Sequence, residues 1–146
     1  MIGFFNPYQE FSADLELFFK SVVDRIVKEY GLSNKYVNII FLTDEELFEM
    51  NMSYLNHDYY TDIITFNYAE TPKDLEAELY ISLDRVIENA SINGVIFEEE
   101  LLRVIVHGML HLAGFEDSSE VKKADMRIRE NSFMNGLSFH VKPSSY

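Results

Sequence analysis

His107-Gly108-Met109-Leu110-His111-Leu112-Ala113-Gly114-Phe115-Glu116-Asp117 is the stretch on which the reading of this chain turns. Leu101, Leu102, Val104, Ile105, Met109 and Leu110 recur at helical spacing, which predicts a helix over residues 98 to about 112. Glu98, Glu99 and Glu100 place negative charge at its positive N-terminal end. On such a helix, residues i and i+4 stand one above the other. His107 and His111 can therefore bring two imidazole nitrogens to one point about 2 Å from each, the bond length of a histidine-bound zinc ion. A third ligand requires the chain to turn back. Gly114 provides for that turn, because glycine enters left-handed conformations without steric cost. Asp117, three residues further on, then returns to the same point.

The spacing H-x-x-x-H-x-x-G-x-x-D is that of the metzincin zinc signature, with Asp in place of the third His. Two histidines and one carboxylate leave a fourth position open for water, the mark of a catalytic site more than a structural one. In proteases of the H-E-x-x-H type, a glutamate general base follows the first histidine. Gly108 stands there instead, so peptide hydrolysis by that route is not expected. The same ligand types make the facial triad of non-haem iron oxygenases. The helix-and-turn spacing favours zinc, and one Zn2+ ion on His107, His111 and Asp117 is the expectation.

Working outward, Leu15, Phe18, Phe19, Val22, Val23, Ile26, Val27 and Tyr30 predict a helix over residues 12–30, stopped by Gly31. Residues 36–42 are short, β-branched and aromatic, which reads as a buried strand. Thr43 and Glu46 have capping-box spacing and open a helix to about residue 52. Residues 62–68 and 78–82 read as two more strands. Ser82 caps a helix through residue 93, ended by Gly94, and a last helix spans 119–135, closed by Gly136. The first residues read as an edge strand. Helices and strands without regular βαβ alternation predict one α+β domain over residues 1–146, a small mixed sheet packed with several helices.

Composition sets limits on function. The chain is 47% apolar with twelve Phe and nine Tyr, enough to build a core and too much for a disordered segment. Without cysteine it has neither disulfides nor thiolate metal sites, which fits a reducing cytosol. No run approaches the roughly 20 apolar residues of a membrane span, and MIGFFNPYQE lacks the basic and apolar regions of a signal peptide. A soluble cytoplasmic protein without a membrane partner is expected. The net charge of −13 would repel nucleic acid, so an RNA function needs a local basic patch or a metal.

The histidine segment, from His107 through Phe115, resembles the signature of the YbeY-type endoribonucleases, the bacterial rRNA maturation factors. Met50-Asn51-Met52-Ser53-Tyr54 followed by Thr61-Asp62-Ile63-Ile64-Thr65-Phe66 is similar to that family's L-N-x-x-Y and T-D-V-L-S-F segments. Glu78-Leu79-Tyr80-Ile81-Ser82 resembles its G-D-I-x-I-S strand, with Ala77 and Glu78 at the Gly and Asp positions. The resemblance implies a zinc-dependent, single-strand-specific endoribonuclease acting in 16S rRNA 3′-end maturation and ribosome quality control. It puts the first two ligands on His107 and His111, and the third, usually His, on Asp117. The arginine that follows the family's tyrosine falls on Leu55 here, with His57 at a neighbouring lysine position. That change removes a phosphate clamp.

Several roles stay open at this level. Glu116 is either a base or a solvated loop acid. Asp62 either hydrogen-bonds a ligand histidine or serves as a turn residue. Arg103, Lys122, Lys123, Arg127 and Arg129 either guide RNA or balance Glu120, Asp125 and Glu130. The acidic balance leaves room for a partner that supplies specificity, a ribosomal protein or a ribosome-associated GTPase. A ribosome-associated module that zinc only stabilises is the non-catalytic alternative.

Overall fold

A computed structural model describes residues 1–7, 11–57 and 59–135. The elements run β1 (Ile2–Phe5), α1 (Ala13–Glu29), β2 (Ser33–Leu42), α2 (Asp44–Leu55), β3 (Ile63–Asn67), β4 (Asp74–Ser82), α3 (Leu83–Asn93), α4 (Phe97–Leu112) and α5 (Glu120–Ser132). The strands form one mixed sheet of order β1-β2-β4-β3. The pairs β1–β2 and β2–β4 are parallel, and β3–β4 is antiparallel. The fold is α+β, as the sequence predicts, with β1 as the expected edge strand.

Local signals explain most element ends. Thr43 Oγ1 accepts from Glu46 N–H at 3.2 Å while Glu46 Oε1 accepts from Thr43 N–H at 2.9 Å, the reciprocal capping box. Ser82 Oγ accepts from Arg85 N–H at 3.1 Å and opens α3. Gly31 and Gly94, at positive φ, lie where α1 and α3 stop.

Other boundaries differ from the expectation. β2 starts three residues early, and β4 starts at Asp74 instead of residue 78. Leu75, Ala77, Leu79 and Ile81 are buried while Asp74, Glu76, Glu78 and Tyr80 alternate with them on the more open face. That period of two defines a half-buried strand, acids included. α2 continues to Leu55, because Asn56 adopts a left-handed cap at φ 56°. α5 stops at Ser132, with buried Phe133 as its cap, short of the expected residue 135. Gly136 lies outside the described residues.

The core fills the space between one sheet face and the helices. Phe19, Val22, Val23 and Ile26 of α1 meet Val37, Ile39 and Phe41 of β2 and Leu79 and Ile81 of β4 in one buried cluster. α4 is buried nearly all round, with Leu101, Leu102, Val104, Ile105, Val106, Met109 and Leu110 inaccessible, so it is the central helix. Among the described residues, no helix is long and apolar enough to cross a membrane.

Gly108 lets α4 approach the sheet. A Cβ there would lie 2.6 Å from Ile63 Cδ1, 3.0 Å from Leu79 Cδ2 and 3.3 Å from Thr65 Cγ2. The position that carries a glutamate base in H-E-x-x-H proteases therefore faces packed apolar side chains, and a glutamate side chain has no room. Gly108→Ala sets a helix-propensity gain of about 1 kcal/mol against overpacking of about 1–3 kcal/mol. The expected net loss is about 1 kcal/mol in urea unfolding, and Gly108→Glu should lose clearly more because it also buries a carboxylate.

Candidate metal centre

The last turns of α4 and the segment after it hold the predicted ligands together. His107 Nε2 lies 2.9 Å from His111 Nε2 and 3.3 Å from Asp117 Oδ2, and His111 Nε2 lies 3.8 Å from Asp117 Oδ2. These separations bracket the edge of about 3.3 Å that ligands about 2.0 Å from a tetrahedral ion define. Among the described residues, these three form the one group of His and acidic side chains close enough to share an ion.

The chain reaches Asp117 through a specific helix ending. Gly114 N–H donates to His111 O at 3.0 Å and Phe115 N–H to Leu110 O at 3.0 Å. This pair of bonds is the Schellman motif, and Gly114 occupies its left-handed position at φ 103°. The turn also turns the Phe115 carbonyl inward, where it lies 2.9 Å from His111 Nδ1. One glycine thus reverses the chain and orients the His111 ring.

His107 is oriented from another helix. Its Nδ1 lies 2.7 Å from Glu130 Oε2 of α5, and Glu130 is 4% exposed. A carbonyl and a carboxylate oxygen can only accept, so each Nδ1 carries a proton and each Nε2 directs its lone pair at the other. Two lone pairs 2.9 Å apart, with a carboxylate beside them, call for a cation between them. Burial opposes the charged form of His107, but the hydrogen bond and charge of Glu130, with Asp117 and Asp62, raise its pKa above the usual histidine value. A proton and a metal ion therefore compete for the same place.

Glu130 is the partner of His107 that the sequence did not reveal; there it counts only among the acids that balance nearby bases. It also accepts from Arg103 Nη1 at 2.9 Å. These partners hold its carboxyl below the usual range despite burial that pushes the other way. A readable signal existed: α5 buries Met126 and Glu130, so a charged residue sits on the inward stripe of an otherwise polar helix. Removing this anchor with Glu130→Ala is expected to weaken zinc affinity by about 10–100-fold. Glu130→Gln, which keeps an acceptor, should lose less. Competition with a chromogenic chelator measures both.

The other sequence candidates separate cleanly. Glu116 is mostly exposed and pairs with Lys122 Nζ at 2.7 Å, so it is the loop acid. Asp62 hydrogen-bonds no ligand histidine, the role Glu130 takes. It lines a cavity of about 320 Å³ together with His107 and Asp117. Burial raises its pKa, opposed by His107 and by the backbone amides of residues 62 and 63. Leu55, His57 and Tyr59 line a second cavity of about 320 Å³ that reaches His111. Asn51, 2% exposed, pins that loop by donating to Tyr59 O at 2.9 Å. His57 is thus near the centre, but the Leu55 position brings no cation to it.

Comparison with known proteins agrees with this arrangement. The family model described as Endoribonuclease YbeY matches residues 5–138. The chain is 37% identical over 134 residues to Endoribonuclease YbeY of Cytophaga hutchinsonii, covering 92% of this chain and 94% of that one. It is 38% identical over 138 residues to Endoribonuclease YbeY of Flavobacterium johnsoniae, covering 94% and 97%. The solution structure of TM1509 from Thermotoga maritima superposes with a TM-score of 0.65 at 28% identity, over the whole of both chains. The resemblance read from the histidine segment holds along nearly the full sequence, and the chain belongs to the Endoribonuclease YbeY family.

Proposed function

We propose that this chain is a zinc-dependent endoribonuclease that cleaves single-stranded RNA, with His107, His111 and Asp117 as the ligands of one zinc ion. The observation that carries the reading is the convergence of two imidazole lone pairs and a carboxylate on one point, with both Nδ1 atoms already held by other acceptors. Membership of an endoribonuclease family supports RNA as the substrate. Zinc bound there would act as a Lewis acid toward a phosphate oxygen and lower the pKa of water toward about 7. Asp62, beside His107 in the same cavity, is the group assigned to accept a proton from the attacking nucleophile. The cellular role that fits is 16S rRNA 3′-end maturation and ribosome quality control in the cytoplasm. Ribosomal proteins or a ribosome-associated GTPase would supply specificity that an acidic chain does not supply through its overall charge.

Metal analysis combined with cleavage assays tests the reading. One zinc per chain is expected, with cleavage of a single-stranded RNA and little cleavage of its duplex. Bound iron with substrate-dependent oxygen uptake would replace the hydrolase by an oxygenase. A zinc-loaded protein that never cleaves RNA would leave the metal a purely structural role.

A further inference from the structure

Two helices build the cavity beside the metal centre. Glu100, Arg103, Val104 and His107 of α4 and Lys123, Met126, Arg127 and Glu130 of α5 line it. Each set follows i, i+3, i+4, i+7 spacing, so one face of each helix is turned to the same space. The resting partners of the cations in the two helices differ. Lys122 is 2.7 Å from Glu116, outside the cavity lining. Arg129 is bound by Asp125 at 3.0 Å and lies 4.1 Å over the Phe115 ring, bracing the turn after α4. Arg103 is shared between Glu130 and Asn131, both at 2.9 Å.

Lys123 and Arg127 are different. Their side chains are 61% and 60% exposed, and their ion pairs are long, 3.8 Å to Glu120 and 3.5 Å to Glu130. The Lys123–Glu120 pair is exposed on both sides and contributes little, and buried Glu130 keeps Arg103 and His107 as partners when Arg127 turns to another anion. Most of the acids in the cavity are engaged elsewhere. Glu130 is held by Arg103 and His107, Glu100 accepts from Asn93, and Asp117 faces the two histidines. Among the described residues, the cavity that reaches His111, walled by Leu55, His57, Tyr59, Ile63 and Thr65, has no Lys or Arg in its lining.

Resting on the endoribonuclease reading, we propose that Lys123 and Arg127 hold a backbone phosphate of the RNA next to the one being cleaved. They stand one turn apart on α5, with Cβ atoms about 5–6 Å from each other, so one phosphate can meet both. The strand therefore leaves the metal across α5 and not past Leu55. The two residues are positioning residues, and they place a local basic site on a chain whose net charge is −13.

The test compares Lys123→Gln/Arg127→Gln with Lys28→Gln, an exposed lysine on α1 that lines neither cavity. Binding of a short single-stranded 2′-O-methyl oligonucleotide is followed by fluorescence anisotropy between about 50 and 200 mM salt, using zinc-loaded protein. The double variant should weaken binding about tenfold and reduce the slope of log affinity against log salt by about 0.7, the value for one lost phosphate contact on a single strand. With cleavable RNA, KM should rise by a similar factor while kcat stays within about twofold. Zinc per chain and the circular dichroism spectrum should match wild type. Affinity and salt slope equal to those of Lys28→Gln, in a wild type that still binds and cleaves RNA, would overturn the assignment and leave the nuclease reading standing. A wild type that neither binds nor cleaves single-stranded RNA would overturn both.

Discussion

His111→Ala is expected to leave a folded protein that retains no stoichiometric zinc and cleaves RNA at least about 10³-fold more slowly. The magnitude follows from losing several kcal/mol of metal-derived transition-state stabilisation, at about 1.4 kcal/mol per tenfold in rate. Folding should survive because His111 is 30% exposed at the last turn of α4, and its neighbours Met109 and Leu110 carry the packing. The Schellman turn depends on backbone bonds from Gly114 and Phe115, not on the imidazole. Alanine frees the Phe115 carbonyl, which can turn to water. Zinc content after gel filtration, circular dichroism and single-turnover cleavage measure the three quantities separately. Full cleavage by a zinc-free variant would remove the metal from the reaction.

The centre was readable from sequence because its geometry is local. His107 and His111 share one helical face, and Gly114 and Asp117 follow within six residues of the second histidine, so all three proposed ligands lie on one continuous piece of chain. Glu130 was not readable in the same way, because its contact with His107 spans 23 residues and depends on how α5 packs against α4. The sorting of the five cations had the same origin. Spacing puts Lys122 and Lys123 side by side, and only the packed helices send one to Glu116 and the other to the cavity. Gly108 was informative in sequence only as the absence of a base. Its positive role, the close approach of α4 to Ile63, Thr65 and Leu79, required the sheet. In β4, the missed first half follows from reading Asp74 and Glu76 as loop residues when they are the open face of an alternating strand.

Asp62→Asn bears on the chemistry instead of the metal. Asp62 lines the cavity with His107 and Asp117 yet hydrogen-bonds neither ligand histidine, so the amide should leave zinc content unchanged. Cleavage should fall about 10²–10⁴-fold, the usual contribution of a positioned general base. The pH profile separates this role from a structural one. Burial favours the neutral acid and raises the pKa, so the carboxylate that can accept a proton is lost at higher pH than for an ordinary aspartate. In wild type, activity should therefore rise with pH through that raised value. Proton competition for the histidines also acts on the acid side, because the pKa of His107 is itself raised. Measuring bound zinc across the same pH range resolves the two. In Asp62→Asn, the activity per zinc-loaded chain should lose its acid limb, while the zinc-loading curve keeps its position. An unchanged acid limb at full zinc occupancy would assign the proton transfer to another group.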